Sequence, residues 1–153
     1  MTDSECEYSA AVVDWREHRE VISAIRRAVF IDEQGVSEAL ELDPHDGAHT
    51  HALARDSAGN GIATGRLSEH DAGAAGQIGR MAVLKAWRGR GVGGAILAAL
   101  LEAARERGMV SVSLHAQTHA RAFYAARGFA ECGETFMEAG IEHIKMARPL
   151  PRR

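Results

Sequence analysis

Residues 88–94, Arg88-Gly89-Arg90-Gly91-Val92-Gly93-Gly94, carry the most readable chemistry in this chain. An apolar run ending at Leu84 precedes them and a long helical pattern follows, so the glycines fall at a helix start. The first N–H groups of a helix lack intrahelical partners and carry partial positive charge, which suits an anion such as a phosphate. Glycine lets that backbone approach a ligand without Cβ obstruction. Arg88 and Arg90 add fixed charge and fork-shaped donors. A tight turn with two solvated arginines is the bland alternative, and it requires fewer glycines than are present.

Two phosphate motifs fit poorly. Gly89-x-Gly91-x-x-Gly94 has the dinucleotide spacing, but that site calls for an acidic residue about 20 residues later, at the end of the next strand. This chain has Ser113-Leu114-His115 there, which disfavours a nicotinamide-dependent oxidoreductase. No Gly-Lys-Ser/Thr follows, so the P-loop pattern also fails. His49 and His51 are two apart, hence on one face of an expected strand, with Asp43, His45 and Asp46 nearby. They lack definite third and fourth zinc ligands, and no metal is expected. Cys6 and Cys132 read as two reduced thiols, a disulfide between them being the minor alternative.

The elements that position the glycine loop follow from periodicity. Tyr8–Val13 reads as a strand. Asp14 with Glu17 resembles a capping box ahead of a helix whose apolar stripe is Trp15, Val21, Ile22, Ile25, Ala28 and Val29. Ile31–Ala48 is a polar, acidic connection, long enough to be functional. Thr50–Arg55 and Gly61–Ser68 form a hairpin around Asp56–Asn60. Gln77–Leu84 is a strand after the loop Asp71–Gly76, and Val92–Arg107 is a helix closed by Gly108. Val110–Ala116 is a strand. Thr118 is expected to cap a short helix through Arg127 that Gly128 closes, and Phe129–Phe136 and Ile141–Arg148 close the fold. The order β-α-β-β-β-α-β-α-β-β predicts an α/β (α+β) domain. Its sheet is mixed and mostly antiparallel, flanked by helices, around a central β-α-β unit.

Composition bounds the function. The 153 residues match one domain of about 150 residues. With 46% hydrophobic and 25% charged residues this is an ordinary globular composition. A net charge of −3 with scattered basic residues argues against a nucleic-acid binder. The longest uncharged apolar run, Gly91–Leu101, is too short to cross a bilayer, and the acidic N-terminus lacks signal-peptide features. The expectation is a cytoplasmic protein without membrane or nucleic-acid partners.

The loop also reads Arg88-x-x-Gly91-x-Gly93, and here the chain resembles the GNAT acetyltransferase superfamily, whose acetyl-CoA motif is Gln/Arg-x-x-Gly-x-Gly/Ala between a strand and a helix. Ala122-Phe123-Tyr124-Ala125-Ala126-Arg127-Gly128-Phe129 resembles that family's second signature, in the expected order. Val29–Val36 and Glu138–Met146 are similar to the ElaA/YjcF-type branch. The resemblance spans almost the whole chain and implies one GNAT domain over residues 1–153 with a six- to seven-stranded sheet.

By that resemblance, the amides of Val92, Gly93, Gly94 and Ala95, with Arg88, Gly89, Arg90 and Gly91, hold the pyrophosphate of acetyl-CoA. The main chain of Met81, Ala82 and Val83 pairs with the pantetheine arm, and the strands Gln77–Leu84 and Val110–Ala116 splay apart to make the slot for the thioester. Tyr124 protonates the departing thiolate. Gln117 stands where an Asn is common among relatives. Gln77 stands where some relatives carry a Glu, and it cannot accept a proton. Glu33, His115 and His143 are the remaining base candidates. With Gln34 they are expected on the acceptor side, Glu33 and Gln34 orienting a cationic amine. The implied activity is transfer of acetyl directly to a small-molecule primary amine. The alternative is a CoA-binding regulatory module without turnover. A strand edge offers a route to a homodimer, for which the sequence carries no signal.

Overall fold

The computed structural model describes residues 7–38 and 43–151. Cys6 and Glu41 lie outside them. Seven strands form one sheet in the order β1-β2-β3-β4-β5-β7-β6. They are β1 (Tyr8–Val13), β2 (Thr50–Asp56), β3 (Gly61–His70), β4 (Ala75–Val83), β5 (Ser111–Gln117), β6 (Ala130–Glu138) and β7 (Ile141–Pro149). Only β4 and β5 pair in parallel; all other neighbours are antiparallel. The expected element order and mixed sheet are present.

Helix α1 (Trp15–Arg26) starts where the sequence predicts: the Asp14 carboxylate accepts from the Glu17 N–H at 3.1 Å. Its stripe Ile22, Ile25 and Val29 packs on Leu53 of β2 and Ala82 of β4, forming a small core on one face of the sheet. On the opposite face, α2 (Val92–Glu106) buries Val92, Ile96, Leu97, Leu100, Leu101 and Ala104, and the short helix α3 (Arg121–Ala125) adds Tyr124 to the same, larger core. The sheet contributes Leu53 and Ala82 to the smaller core and residues of β2 to β5 and β7 to the larger one, so its centre is covered on both faces.

Several boundaries differ from the sequence reading. The connection from Ile31 to Ala48 is not irregular throughout: Arg27–Glu33 continues α1 as a π-helical turn, and Asp46–Ala48 is a 3-10 turn. A π-turn shifts the side-chain phase of a helix and often marks a functional segment. Loop 71–76 is shorter than expected because β4 already starts at Ala75, after a turn with Asp71 and Ala72 at φ 52° and 55°. Thr118 does not cap a helix. Its hydroxyl donates to Glu142 Oε1 at 3.1 Å, and α3 starts three residues later, after a 3-10 turn. Gly128 closes α3 as expected, through the bonds Gly128 N–H to Ala125 O and Phe129 N–H to Tyr124 O.

One irregularity positions the site. In the β3–β4 ladder Thr64 faces Ala82 and Arg66 faces Gly79, so Arg80 and Met81 together oppose the single residue Gly65. Arg80 adopts φ 53°, a left-handed conformation that costs a non-glycine residue energy. Such a bulge bends and twists its strand. The β4–β5 pairing ends just before it, at Ile78 opposite Leu114, and the two strands part as predicted. Gly65 makes the bulge possible. A Cβ there would lie 2.7 Å from Met81 Sδ, 2.8 Å from Ile96 and 2.9 Å from Leu100. Gly65→Ala should therefore destabilise the protein by about 1–3 kcal/mol through overpacking, read as a lower urea midpoint at unchanged m-value.

Candidate active site

The parted strands open a cleft of about 1050 Å3 that runs from the glycine loop to the β6–β7 hairpin. Gly91, at φ 84°, is the N-cap of α2, and no side chain caps this helix. Ala95 N–H bonds back to the Gly91 carbonyl, which leaves the amides of Val92, Gly93 and Gly94 as the unpaired first donors. A Cβ at Gly89 would meet nothing within 4 Å, so the loop lies open to an approaching ligand.

The two loop arginines are engaged on different sides. Arg88 donates from Nε to the Val83 carbonyl at 3.0 Å and from Nη2 to Glu33 Oε1 at 2.7 Å. Sequence reading assigns Glu33 and Arg88 to opposite ends of the site; the fold joins them as an ion pair. Arg90 lies over the Trp87 ring at 4.8 Å. Tyr8 donates to the Arg90 carbonyl at 3.1 Å, tying β1 to the loop. Arg127 is a cation near this helix start that the sequence reading missed. It packs over Phe123 at 3.9 Å, with its guanidinium 3.0 Å from where a Gly94 Cβ would sit.

Met81, Val83, Gly89, Gly91, Gly93 and Gly94 line the cleft. Ala82 instead turns its side chain under α1, and Glu33, Arg90 and Ala95 stand outside the cleft wall. Tyr124 lines the cleft from α3, edge-on to Phe123 at 4.9 Å and to Phe129 at 5.9 Å. Burial pushes its hydroxyl up to about 12, against the weaker opposing effect of Arg127. It therefore stays protonated at any physiological pH.

Across the cleft, Gln34 and Gln117 exchange amide hydrogen bonds of 3.0 and 3.3 Å, and His119 donates to Gln117 Oε1 at 2.8 Å. The Gln117 amide is thus committed within the protein. Gln77 lies on the cleft wall beside Ser68, whose hydroxyl donates to the Gln77 carbonyl at 3.3 Å. His115 and His143 come together with Glu138, which periodicity could not reveal because they lie on three different strands.

The polar residues of 43–51 gather around the buried Asp46 and His51. Asp46 accepts from Arg26 and from Arg66, each at 2.9 Å, and Arg66 also reaches Asp43 at 2.7 Å. His51, fully buried, donates from Nε2 to the Asp46 carbonyl at 2.8 Å and stacks on Trp15 at 4.5 Å. His49 precedes β2 and does not share a strand face with His51. Among the described residues no three His, Cys, Asp or Glu side chains converge as metal ligands. Cys132 is an exposed free thiol.

The matching family is described as an acetyltransferase (GNAT) domain and covers residues 9–150. The chain belongs to the GNAT acetyltransferase family. Acyl transfer is the activity this membership indicates. This GNAT chain is 37% identical to YyaT of Bacillus subtilis over 132 residues, covering 84% of the chain and 86% of that protein. It is 35% identical to the N-acetyltransferase YjcF of the same species, covering 81% and 87%. Among solved structures it resembles Escherichia coli ElaA, with a TM-score of 0.78 and 29% identity over 93% of this chain and 98% of that one. The ElaA/YjcF-type resemblance read from Val29–Val36 and Glu138–Met146 agrees with these matches. Among the described residues no helix is long and apolar enough to cross a membrane.

The cluster around Asp46 predicts how stability depends on pH. Burial, then the Arg26 charge, holds His51 below its usual pKa, and burial with Arg66 does the same for His49. The folded state therefore resists protons that the unfolded state accepts below about pH 6.5, so stability falls as pH drops through that window. Burial would raise Asp43, but the His45 amide and Arg66 outweigh it and hold its carboxyl low. Its contribution is lost further down, below about pH 4. Urea midpoints should be lower at pH 5.5 than at 7.5. His51→Gln should be less stable at pH 7.5 but show a shallower decline.

Proposed function

We propose that this chain, as one GNAT domain over residues 1–153, transfers the acetyl group of acetyl-CoA directly to the primary amine of a small molecule. The observation that carries this reading is the uncapped, glycine-lined start of α2 at the mouth of the β4–β5 cleft. Open amides backed by arginine match a diphosphate. The slot beyond them matches an extended arm ending in a thioester. Acetyl-CoA supplies an acyl carbon activated by a thiol leaving group; the remaining work belongs to the protein.

In this reading the amides of Val92, Gly93 and Gly94, with Gly89, Gly91, Arg88 and Arg90, hold the pyrophosphate; Ala95 drops out of the expected set because its N–H is given to the Gly91 carbonyl. Arg88 would release or share its Glu33 partner to do so. The main chain of Met81, Ala82 and Val83 pairs with the pantetheine arm, as a strand would where β4 has lost β5. A backbone N–H there stabilises negative charge developing on the thioester oxygen, an effect typically worth a few kcal/mol. Tyr124, kept protonated by its buried setting, gives its proton to the departing sulfur. Gln117, its amide held by Gln34 and His119, borders the arm, and Gln34 and His115 face the acceptor with the mostly buried His143 beside them; Glu33 pairs with Arg88 outside the cleft wall. The reaction runs in the cytoplasm without a metal.

Thiol release from acetyl-CoA across an amine panel tests the activity. CoA binding without thiol release from any amine would favour the regulatory-module alternative. Gly91→Glu places a side chain at φ 84° and a negative charge at the helix start; calorimetry should show CoA binding abolished while the melting temperature shows a folded protein. Tyr124→Phe should lower kcat by about 10²-fold with CoA affinity nearly unchanged. A loss of CoA affinity in that variant would contradict the role given to Tyr124.

A further inference from the structure

The acetyl-transfer reading leaves one role unfilled, the group that takes the proton of the acceptor amine, because Gln77 cannot. The answer depends on which face of the sheet each polar group occupies. Leu114 and Ala116 of β5 pack with Tyr124 in the core beneath α2 and α3. Side chains alternate along a strand, so His115, between them, points to the α1 face. Tyr124 and His115 thus line the same cleft from opposite faces of the sheet, at the point where β4 and β5 part.

His115 is held in one orientation. Its Nδ1 lies 2.9 Å from Glu138 Oε1. A carboxylate only accepts, so Nδ1 carries the hydrogen and neutral His115 presents its Nε2 lone pair. Phe136 packs edge-on against the ring at 5.0 Å. His143 is built differently: its Nδ1 donates to the Ile141 carbonyl at 2.7 Å, its ring stacks on Phe136, and its Nε2 lies 3.9 Å from Glu138 Oε2. With only 8% of its side chain exposed, against 35% for His115, His143 supports the pair from behind.

We propose that His115 is the catalytic base, its Nε2 accepting the proton of the attacking amine, and that Glu138 is the positioning residue that sets its tautomer and ring plane. The proposal rests on the acetyl-transfer reading. The amine nitrogen forms the C–N bond to the acetyl carbon, the C–S bond breaks, and one N–H proton passes to His115. Sulfur takes the Tyr124 proton. Return of the His115 proton to Tyr124 through solvent restores both groups, leaving the amide and the free thiol of CoA. Base and acid on opposite faces match an amine that attacks from one side while the thiol departs on the other. The charged or titratable groups around His115 are Glu138 of β6, His143 and Lys145 of β7, and His119 after β5. Arg66 and Arg80 line the cleft from β3 and β4.

Thiol-release kinetics from pH 5.5 to 9, at saturating amine, test the assignment in wild type, His115→Gln and Glu138→Gln. His115→Gln should lower kcat by about 10²-fold, leave acetyl-CoA affinity by calorimetry and the amine KM little changed, and reduce the acid limb of log kcat by one proton. Glu138→Gln should keep that limb, displaced in pH, with a smaller loss of kcat. Imidazole should restore turnover to His115→Gly and add nothing to wild type. A His115→Gln enzyme within about threefold of wild-type kcat, or one whose loss lies wholly in the amine KM, overturns the proposal. A Glu138→Gln enzyme identical to wild type removes Glu138 from it. If wild-type protein releases no thiol with any amine, the acetyl-transfer reading fails and this one with it. Turnover by wild type with His115→Gln unaffected sinks only the base assignment.

Discussion

The parting of β4 from β5 is the constraint on which the rest of the molecule depends. It begins with packing: Met81, Ile96 and Leu100 press so closely on position 65 that only glycine fits. The chain absorbs an extra residue opposite that glycine, with Arg80 in a left-handed conformation. Beyond the bulge β4 keeps its partner β3 and loses β5, while β5 takes β7 as its antiparallel neighbour. A strand stripped of one partner has backbone donors and acceptors left to satisfy. The cleft beside it is the natural place for an extended ligand. The start of α2 reaches the mouth of that cleft because the loop after β4 is short and glycine-rich.

One wall of the cleft is stiffened by a different device. Asp46 gathers Arg26 from α1 and Arg66 from β3, and its own carbonyl holds His51 of β2. Buried charges of this kind gain little net stability as a group, whereas removing one partner leaves another uncompensated. The network therefore serves chiefly to clamp residues 43–48 against the sheet. The reciprocal Gln34–Gln117 amide pair and the Glu33–Arg88 ion pair tie the π-helical turn to β5 and to the glycine loop. Three polar ties thus brace the wall of a cleft whose centre is open.

Much of this was legible from residue order. The alternation of Tyr8–Val13, the Asp14 cap, the apolar stripe of α2 and the glycine at position 128 are local signals, and each element stands where it was read. The ends of β4 and the start of α3 were misjudged because long-range pairing settled them: Ala75 joins β4 by facing His70, and the Thr118 hydroxyl goes to Glu142 of β7 instead of to a helix amide. The reading of His49 and His51 on one strand face failed for a similar reason, because His49 lies ahead of β2. Arg26 and Arg66, distant in sequence, take up the Asp46 carboxylate, and Asp43 goes to Arg66.

Sequence alone determined the glycine-lined helix start, whose chemistry suits an anion, since glycine spacing and the flanking periodicities are properties of consecutive residues. It also offered Tyr124 as a candidate, through the resemblance of Ala122–Phe129 to the family's second signature. Only the tertiary structure decided that His115 meets Glu138, that Glu33 meets Arg88, and that Arg127 stands over the start of α2. Those partners are separated by 23, 55 and 33 positions. Their meeting depends on strand register and on which face each residue occupies once β5 pairs with β7. Local propensity carries no information about register, because register is a competition among whole strands for buried area and hydrogen-bond partners.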